Sequence, residues 1–384
     1  MANSITIDSS APLPVELPAN VADLCALVSQ TRAAKHGLYP VGGRTTLDIG
    51  LPPSKPGVAC DTTAIAGVID YPARDMTITV RAGTTVAAVQ AELAKEGQWL
   101  PVDVASPEKA TLGGAVAINA SGPRRLGYGT LRDYVIGISF VTDDGVEVKA
   151  GGRVVKNVAG YDLMKLQIGA LGTLGVVTQL TLKVKPKPEA AGSVVFGCDS
   201  ASLGAVLDIV ASSKTRPVAV ELLNQTAWRV GEAADGRRRP LASEQEWTVF
   251  VGFEEKFAAV RWQVSTLLDE LKSAPVRDAA EFPDTAFCAA LTALQLRPES
   301  RCIGKVCVLP SKLAETVTNL PANTILHAHA LSGVIWSHGE TLPEGATVRR
   351  GAGASQPPAW ELMRHVKKTL DTDNVFNPGR MFAD

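Results

Sequence analysis

Apolar positions first recur at every third or fourth residue and then at every second, and this change of period divides the opening of the chain into elements. Val21, Leu24, Leu27 and Val28 fall at helical spacing. Asn20 precedes them as an N-cap with Asp23 at the third helical position, so a helix is predicted from residue 21, with Gly37 as its stop. The runs "GVACD", "GVIDY" and the alternating "MTITV" are of strand length, and a second helix is predicted from Thr84 to about Glu96, stopped by Gly97. Further on, "VIGISFVTDDGVEVKAG" reads as a hairpin turning at Asp144-Gly145. The stretch "TLGVVTQLTLKVKPKP" ends in alternation of Leu180, Leu182 and Val184 before Pro186 and Pro188 close it.

From about residue 191 the pattern changes. "GSVVFG", "ASLGAVLDIVASS" and "PVAVELL" predict strand, helix and strand. They are followed by a strand at "EWTVFVGF", an amphipathic helix at about 256–273, and a weaker strand–helix–strand run from "CIGKVCVLP" to "GVIWS". The last stretch, "WELMRHVKKTLDTDNVFNPGRMFAD", reads as one helix and a turn. A chain of 384 residues exceeds one ordinary core. The expected class is α+β, with residues 1–190 as a first domain, 191–356 as a smaller domain with a mostly antiparallel sheet, and 357–384 as a C-terminal helix and turn.

Composition excludes several functions. Lys and Arg number 38 against 39 Asp and Glu, a formal charge of -1, which disfavours a polyanionic partner such as nucleic acid. The longest apolar runs, "GISFV" and "GVIW", are far short of a membrane span, so a soluble protein is expected. The start, "MANSITIDSSAPLPVELPAN", reads as a Pro-rich leader and not as a secretion signal. Six cysteines (Cys25, Cys60, Cys198, Cys288, Cys302, Cys307) lie apart, with no C-x-x-C pair. This speaks against an iron–sulfur cluster, a zinc ribbon or a disulfide framework and fits a reducing cytoplasm.

Glycine concentrates in three segments, "YPVGGRTT" (39–46), "TLGGAVAINASG" (111–122) and "IGALGTLGVV" (168–177). Glycine lets backbone approach a ligand closely and lets several N–H groups point into one concavity. No G-x-G-x-x-G lies between a strand and a helix, and the only Gly-Lys, Gly304-Lys305, continues into valine, so neither the Rossmann nor the P-loop signature is present. Three such bends, well separated in sequence, suit a long ligand better than a single phosphate.

"YPVGGRTT", "ATLGGAVAINASGPRRLGYGTLRDYV", "VVKNVAGYDLMKLQIGALGTLGVVTQ" and "FNPGRM" together resemble the FAD-binding domain shared by vanillyl-alcohol oxidase, para-cresol methylhydroxylase and the D-lactate and glycolate dehydrogenases. More narrowly, "GPRR", "VKNVAGYDLMKL" and "NPGR" resemble the FAD-binding subunit of bacterial glycolate oxidase, the smaller of two related flavin subunits that assemble with an iron–sulfur subunit. The similarity is specific over residues 38–188 and 360–382. It implies a two-subdomain FAD-binding domain, a small cap domain and a tail that returns to the flavin domain. By the resemblance, Pro40, Val41, Gly42, Gly43, Arg44 and Thr45 hold the pyrophosphate through backbone N–H groups. Thr111, Leu112, Gly113, Gly114, Asn119, Ala120, Ser121 and Gly122 run along it toward the isoalloxazine. Gly172, Gly175, Val176 and Val177 contact the ribose and adenine side, and Asn377 and Gly379 form the returning turn.

Some members tether FAD through a histidine in the first bend; here that place reads Gly43-Arg44 and no histidine lies between Gly37 and Leu326, so non-covalent FAD is expected. The implied activity is oxidation of glycolate, or another small 2-hydroxy acid, to the 2-oxo acid. Electrons would pass through flavin to an iron–sulfur partner in a complex that also holds the larger flavin subunit. The alternatives are a stand-alone D-lactate or 2-hydroxy-acid dehydrogenase, and an assembly subunit with structural or lost flavin. The implied location is cytoplasmic, with the inner face of the membrane reached through partner subunits.

Oxidation of a 2-hydroxy acid calls for a cation to hold the carboxylate and a base for the hydroxyl proton. Arg125, Tyr161 and Lys165 are the candidates. Arg124 beside Arg125 reads equally as a carboxylate or phosphate clamp and as a salt bridge to a residue such as Asp133. Tyr161, with Asn157 and Asp162, reads equally as a structural hydrogen-bonded group. Arg237 to Arg239 read as solvated surface. His327 and His329 alternate onto one strand face and, with His338, have the chemistry of a divalent-metal site. Nothing near them forms a paired His-x-Glu-His, so no metal site is assigned and hydrogen-bonded strand histidines are expected.

Overall fold

A computed structural model describes residues 4–8, 10–152, 162–235, 245–282, 287–296, 300, 302–321, 324–340, 343, 346–350 and 359–382. The chain divides into two compact units. The first comprises Met1–Ala120, Thr130–Lys187 and Pro357–Asp384, and the second Ser121–Gly129 and Pro188–Gln356.

In the first unit Asn20 caps helix α1 (Val21–Ala33), its side-chain oxygen accepting the Asp23 N–H at 3.0 Å, and Leu24 and Val28 are wholly buried. The helix is ended by left-handed Lys35 (φ 56°), two residues before the expected stop, and Gly37 instead starts a strand. Strands β1 (Ser4–Ile5), β2 (Leu13–Glu16), β3 (Gly37–Val41) and β4 (Gly57–Asp61) form one sheet in the order β1-β2-β4-β3, with β2 and β3 parallel to β4. Next come β5 (Val68–Asp70), β6 (Thr77–Arg81), β7 (Gln98–Trp99), β8 (Val135–Val141), β9 (Glu147–Gly151), β10 (Val176–Lys183) and β11 (Lys185–Pro186). Five of them make an antiparallel sheet, β5-β6-β10-β8-β9, and β7 pairs with β11. The β8–β9 hairpin turns through Gly145, and Leu180, Leu182 and Val184 are buried as their alternation indicates. Helix α2 (Val86–Ala94) is capped by Thr85, one residue later than expected. The Thr84 hydroxyl accepts the Gly67 N–H and donates to the Arg81 carbonyl. Helix α3 (Leu112–Ala117) starts on Thr111, whose hydroxyl accepts the Gly114 N–H.

The second unit is one eight-stranded sheet with helices on both faces. Its elements are β12 (Ala190–Cys198), α4 (Leu203–Ser212), β13 (Ala219–Asn224), α5 (Gln225–Asp235), β14 (Trp247–Glu255), α6 (Phe257–Leu271), β15 (Arg277–Glu281), α7 (Phe287–Leu294), β16 (Cys302–Cys307), β17 (Ile325–His329), β18 (Val334–Gly339) and β19 (Thr347–Arg350). Their order is β15-β12-β14-β13-β17-β18-β16-β19, and every pair is antiparallel. Alternation sends Val194, Phe196, Val220, Leu222, Val249 and Val251 to the face packed with α4 and α6. Val195, Ala219, Leu223 and Phe250 go to the face packed with Trp228 of α5 and Phe287 and Leu291 of α7.

The first unit is completed by helix α8 (Trp360–Leu370) and the turn after it. Phe376 bridges in parallel to Leu38, the Leu38 N–H donates to the Val375 carbonyl at 2.7 Å, and the Asn377 N–H donates to the Leu38 carbonyl at 2.9 Å. Among the described residues no helix is long and apolar enough to cross a membrane.

Candidate functional site

The three glycine-rich bends lie side by side in the first unit, and close contacts fix them there. A Cβ on Gly43 would stand 1.6 Å from the Lys109 carbonyl oxygen and one on Gly42 would stand 2.1 Å from Thr111 Oγ1, so any side chain would drive the first and second bends apart. The second and third bends are joined by the Gly169 N–H to the Val116 carbonyl (3.0 Å) and the Leu171 N–H to the Ala117 carbonyl (2.8 Å). Asn377 Nδ2 donates to the Leu171 carbonyl at 2.6 Å and so attaches the tail.

Together these four strips wall one groove of about 70 Å³. Pro40, Val41 and Gly42 come from the first bend, Gly113, Gly114 and Ala117 from the second. Leu171, Gly172, Gly175, Val176 and Val177 come from the third, Asn377 from the tail, and Thr62 adds one side chain. The remaining assigned residues lie off this wall. Gly43, Thr111 and Leu112 hold the bends together, and Ser121 and Gly122 belong to the second unit. Arg44 Nη2 pairs with Asp61 Oδ2 at 2.9 Å. Burial alone would raise the Asp61 carboxyl, but hydrogen bonds from Thr63 and the nearby Arg44 guanidinium outweigh it and hold it below the usual carboxylate range. Ala120 donates its N–H to Ala115. Asn119, left-handed at φ 49°, has a buried Oδ1 with no hydrogen-bond partner among the described residues.

The Leu112 and Gly113 N–H groups bond the Thr84 and Ala82 carbonyls, and the Gly114 N–H bonds Thr111. These three N–H groups are therefore spent within the fold, and Gly113 and Gly114 allow close packing against Ala82 and Thr111. Five of the groove's lining residues are glycines (Gly42, Gly113, Gly114, Gly172, Gly175), which let a ligand approach main chain between the side chains of Val41, Thr62, Leu171, Val176 and Val177.

The sequence did not single out the two buried cations that hold the tail. Lys367 Nζ donates to the Thr173 carbonyl (2.9 Å), the Phe376 carbonyl (2.8 Å) and the Asp371 carboxylate, and burial pushes its pKa down. Arg380, 5% exposed, donates to the Leu47, Ile49 and Leu51 carbonyls, and burial lowers it to about 10. The visible signal was "NPGR" with a lysine in the preceding helix.

The catalytic candidates are not brought together. Tyr161 and Asn157 lie outside the described residues, as do Arg237 to Arg239. Lys165 Nζ donates to the Arg132 carbonyl (2.6 Å) and the Val135 carbonyl (3.1 Å). Burial lowers its pKa, and it clamps main chain in the first unit. Arg125, in the second unit, reaches Ser121 Oγ at 3.4 Å. Arg124 pairs with Glu254 at 3.6 Å and not with Asp133, whose carboxylate instead accepts the Thr130 N–H and hydroxyl. His327 Nε2 and His329 Nδ1 both reach the Glu221 carboxylate, at 2.5 and 2.9 Å, and all three residues are buried. Glu221 is the partner the sequence reading missed, visible only as the lone charge inside "PVAVELL". The three ligand atoms lie within 4.8 Å of one another, close enough to hold a metal ion, and both histidine nitrogens meet the Glu221 carboxylate. Burial pushes the His327 pKa down despite Glu221.

The chain matches the FAD binding domain family over residues 12–151 and the C-terminal domain of FAD linked oxidases over 185–340 and 352–381. It is 29% identical to glycolate oxidase subunit GlcE of Escherichia coli (strain K12), over 93% of this chain and 96% of the relative. It is 25% identical to glycolate oxidase subunit GlcD of Bacillus subtilis (strain 168), over 97% and 90%, and 26% identical to D-lactate dehydrogenase of Archaeoglobus fulgidus, over 95% and 90%. A solved structure of alkyldihydroxyacetonephosphate synthase shares the fold, with a TM-score of 0.67 at 18% identity over 96% of this chain and 77% of that one. With one family model matched over residues 12–151 and the other over 185–340 and 352–381, the chain is similar to FAD-linked oxidases along most of its length, and it is an FAD-dependent oxidoreductase.

Proposed function

We propose that this chain is the FAD-holding subunit of a 2-hydroxy-acid dehydrogenase, acting on glycolate within a complex that also contains a larger flavin subunit and an iron–sulfur subunit. The observation that carries the reading is the single groove formed by the three glycine-rich bends and Asn377. Similarity to two glycolate oxidase subunits supports the substrate class and the assembly. The scattered cysteines, all free and unclustered among the described residues, support an iron–sulfur centre on another chain. Bound FAD supplies the hydride acceptor. This chain's part is to hold it along the groove without a covalent tether, from the cytoplasmic side and with any membrane contact made by partners. The test is optical: protein purified alone shows flavin absorbance, and acid denaturation releases all of it to the supernatant. A colourless protein that does not take up added FAD overturns the reading.

The similarity to a D-lactate dehydrogenase over nearly the whole chain favours a second reading, a stand-alone enzyme. Anaerobic mixing separates the two. Bleaching of the isolated chain's flavin by glycolate or D-lactate supports the stand-alone enzyme, and an unbleached flavin supports dependence on partners.

A further inference from the structure

The first bend carries strain at a place where glycine would carry none. Gly42, Gly43, Arg44 and Thr45 follow one another, and none of their main-chain N–H groups is donated to a partner among the described residues. Arg44 lies in the left-handed region at φ 58°, a conformation that glycine takes freely and that crowds the Cβ of any other residue against its own carbonyl oxygen. Successive N–H groups around one left-handed residue make a concavity suited to an anionic oxygen. An arginine left to itself would relax out of this conformation and scatter the amides.

Residues 61–63 hold it in place. Asp61, the last residue of β4 and in register with Val41, is buried. Its Oδ1 accepts the Thr63 N–H at 3.0 Å and the Thr63 hydroxyl at 2.6 Å, which fixes the carboxylate, and its Oδ2 accepts Arg44 Nη2 at 2.9 Å. Thr62 donates both its N–H (2.8 Å) and its hydroxyl (3.1 Å) to the Val41 carbonyl, directly ahead of the two glycines. One three-residue stretch thus ties the bend at both ends, at Val41 and at Arg44. That stretch is itself anchored on Gly83, whose N–H donates to the Ile65 carbonyl at 2.9 Å and where a Cβ would stand 2.2 Å from the Thr62 carbonyl oxygen. We propose that Asp61 is a positioning residue for the cofactor: through the Arg44 guanidinium it keeps the left-handed turn that presents the four N–H groups to the FAD pyrophosphate. The assignment rests on the flavin reading of the groove and deepens it, and its effect passes through the main chain of Arg44.

Fluorimetric titration of the flavin-stripped full chain with FAD tests it. Asp61→Asn, whose amide cannot accept from both Thr63 and Arg44, is expected to weaken FAD binding at least about tenfold, the scale of the strain at one left-handed side chain. Arg44→Ala, which keeps a Cβ in the left-handed region and loses the tie, is expected to weaken it by a similar factor. Arg44→Gly, which needs no tie, is expected to lose much less. Adding Arg44→Gly to Asp61→Asn is expected to recover most of the lost affinity, a rescue that a carboxylate serving only the stability of the fold would not show. Unchanged affinity in Asp61→Asn, equal losses in Arg44→Gly and Arg44→Ala, or no recovery in the double variant overturns the proposal and leaves the flavin reading standing. A parent chain that takes up no FAD overturns both.

Discussion

At the scale of single residues, glycine is retained where two stretches of main chain touch. Gly43 faces the Lys109 carbonyl so closely that Gly43→Ala is expected to cost at least about 3 kcal/mol, the upper range for forced overpacking, and to abolish FAD retention, as read by thermal unfolding and bound-flavin absorbance. Asp61 makes a pH prediction. Its carboxyl is held below its unfolded value, so its contribution is present above that value, about pH 4, and is lost as pH falls through the lower folded value. Asp61→Asn should therefore flatten the acid limb of a stability profile below about pH 4 and lower the plateau at neutral pH. The glycines themselves were legible, since no other residue type accounts for three such segments. Their immediate purpose was not: sequence shows that a side chain is missing, not whether ligand or neighbouring backbone occupies its place. Glu221 was illegible for a related reason, because its histidine partners are more than a hundred positions away and meet it only through the antiparallel register of β13 and β17.

At the scale of elements, the periodic segments α1, α4, α6 and the strands around them follow from alternation and helical spacing, with boundaries displaced by one or two residues where local turn chemistry decides. Lys35 taking the left-handed position in place of Gly37 is one such case. Helices α5 and α7 and edge strands β15 and β19 were not read. β15 is exposed along its whole length and carries no apolar alternation, so its pairing with β12 supplies what its sequence lacks. The turn after α8 is held by a buried ion pair. Lys367→Met leaves the Asp371 carboxylate buried without its cation and should cost about 3–5 kcal/mol. Because the same ammonium holds the Thr173 carbonyl beside the third bend, FAD affinity should fall together with melting temperature, measured by flavin titration and calorimetry on the same sample.

At the scale of the whole molecule, each unit has its own apolar core, so thermal unfolding is expected to show two transitions. FAD should move one of them. At a hundredfold excess over its dissociation constant a ligand stabilises the state that binds it by about 2.7 kcal/mol, and calorimetry with and without added FAD should place that shift on a single transition. A uniform shift of both transitions, or none, would contradict a groove confined to the first unit.

The first unit is also discontinuous along the chain: β3 receives its neighbour at Phe376 only after the entire second sheet has been synthesised. Domains emerging from a ribosome fold in the order in which they are completed. The second unit therefore has all its strands before the earlier-starting unit has its last contact. Flavin acquisition is therefore expected after synthesis, and a chain arrested after residue 356 is expected to remain colourless in the presence of FAD.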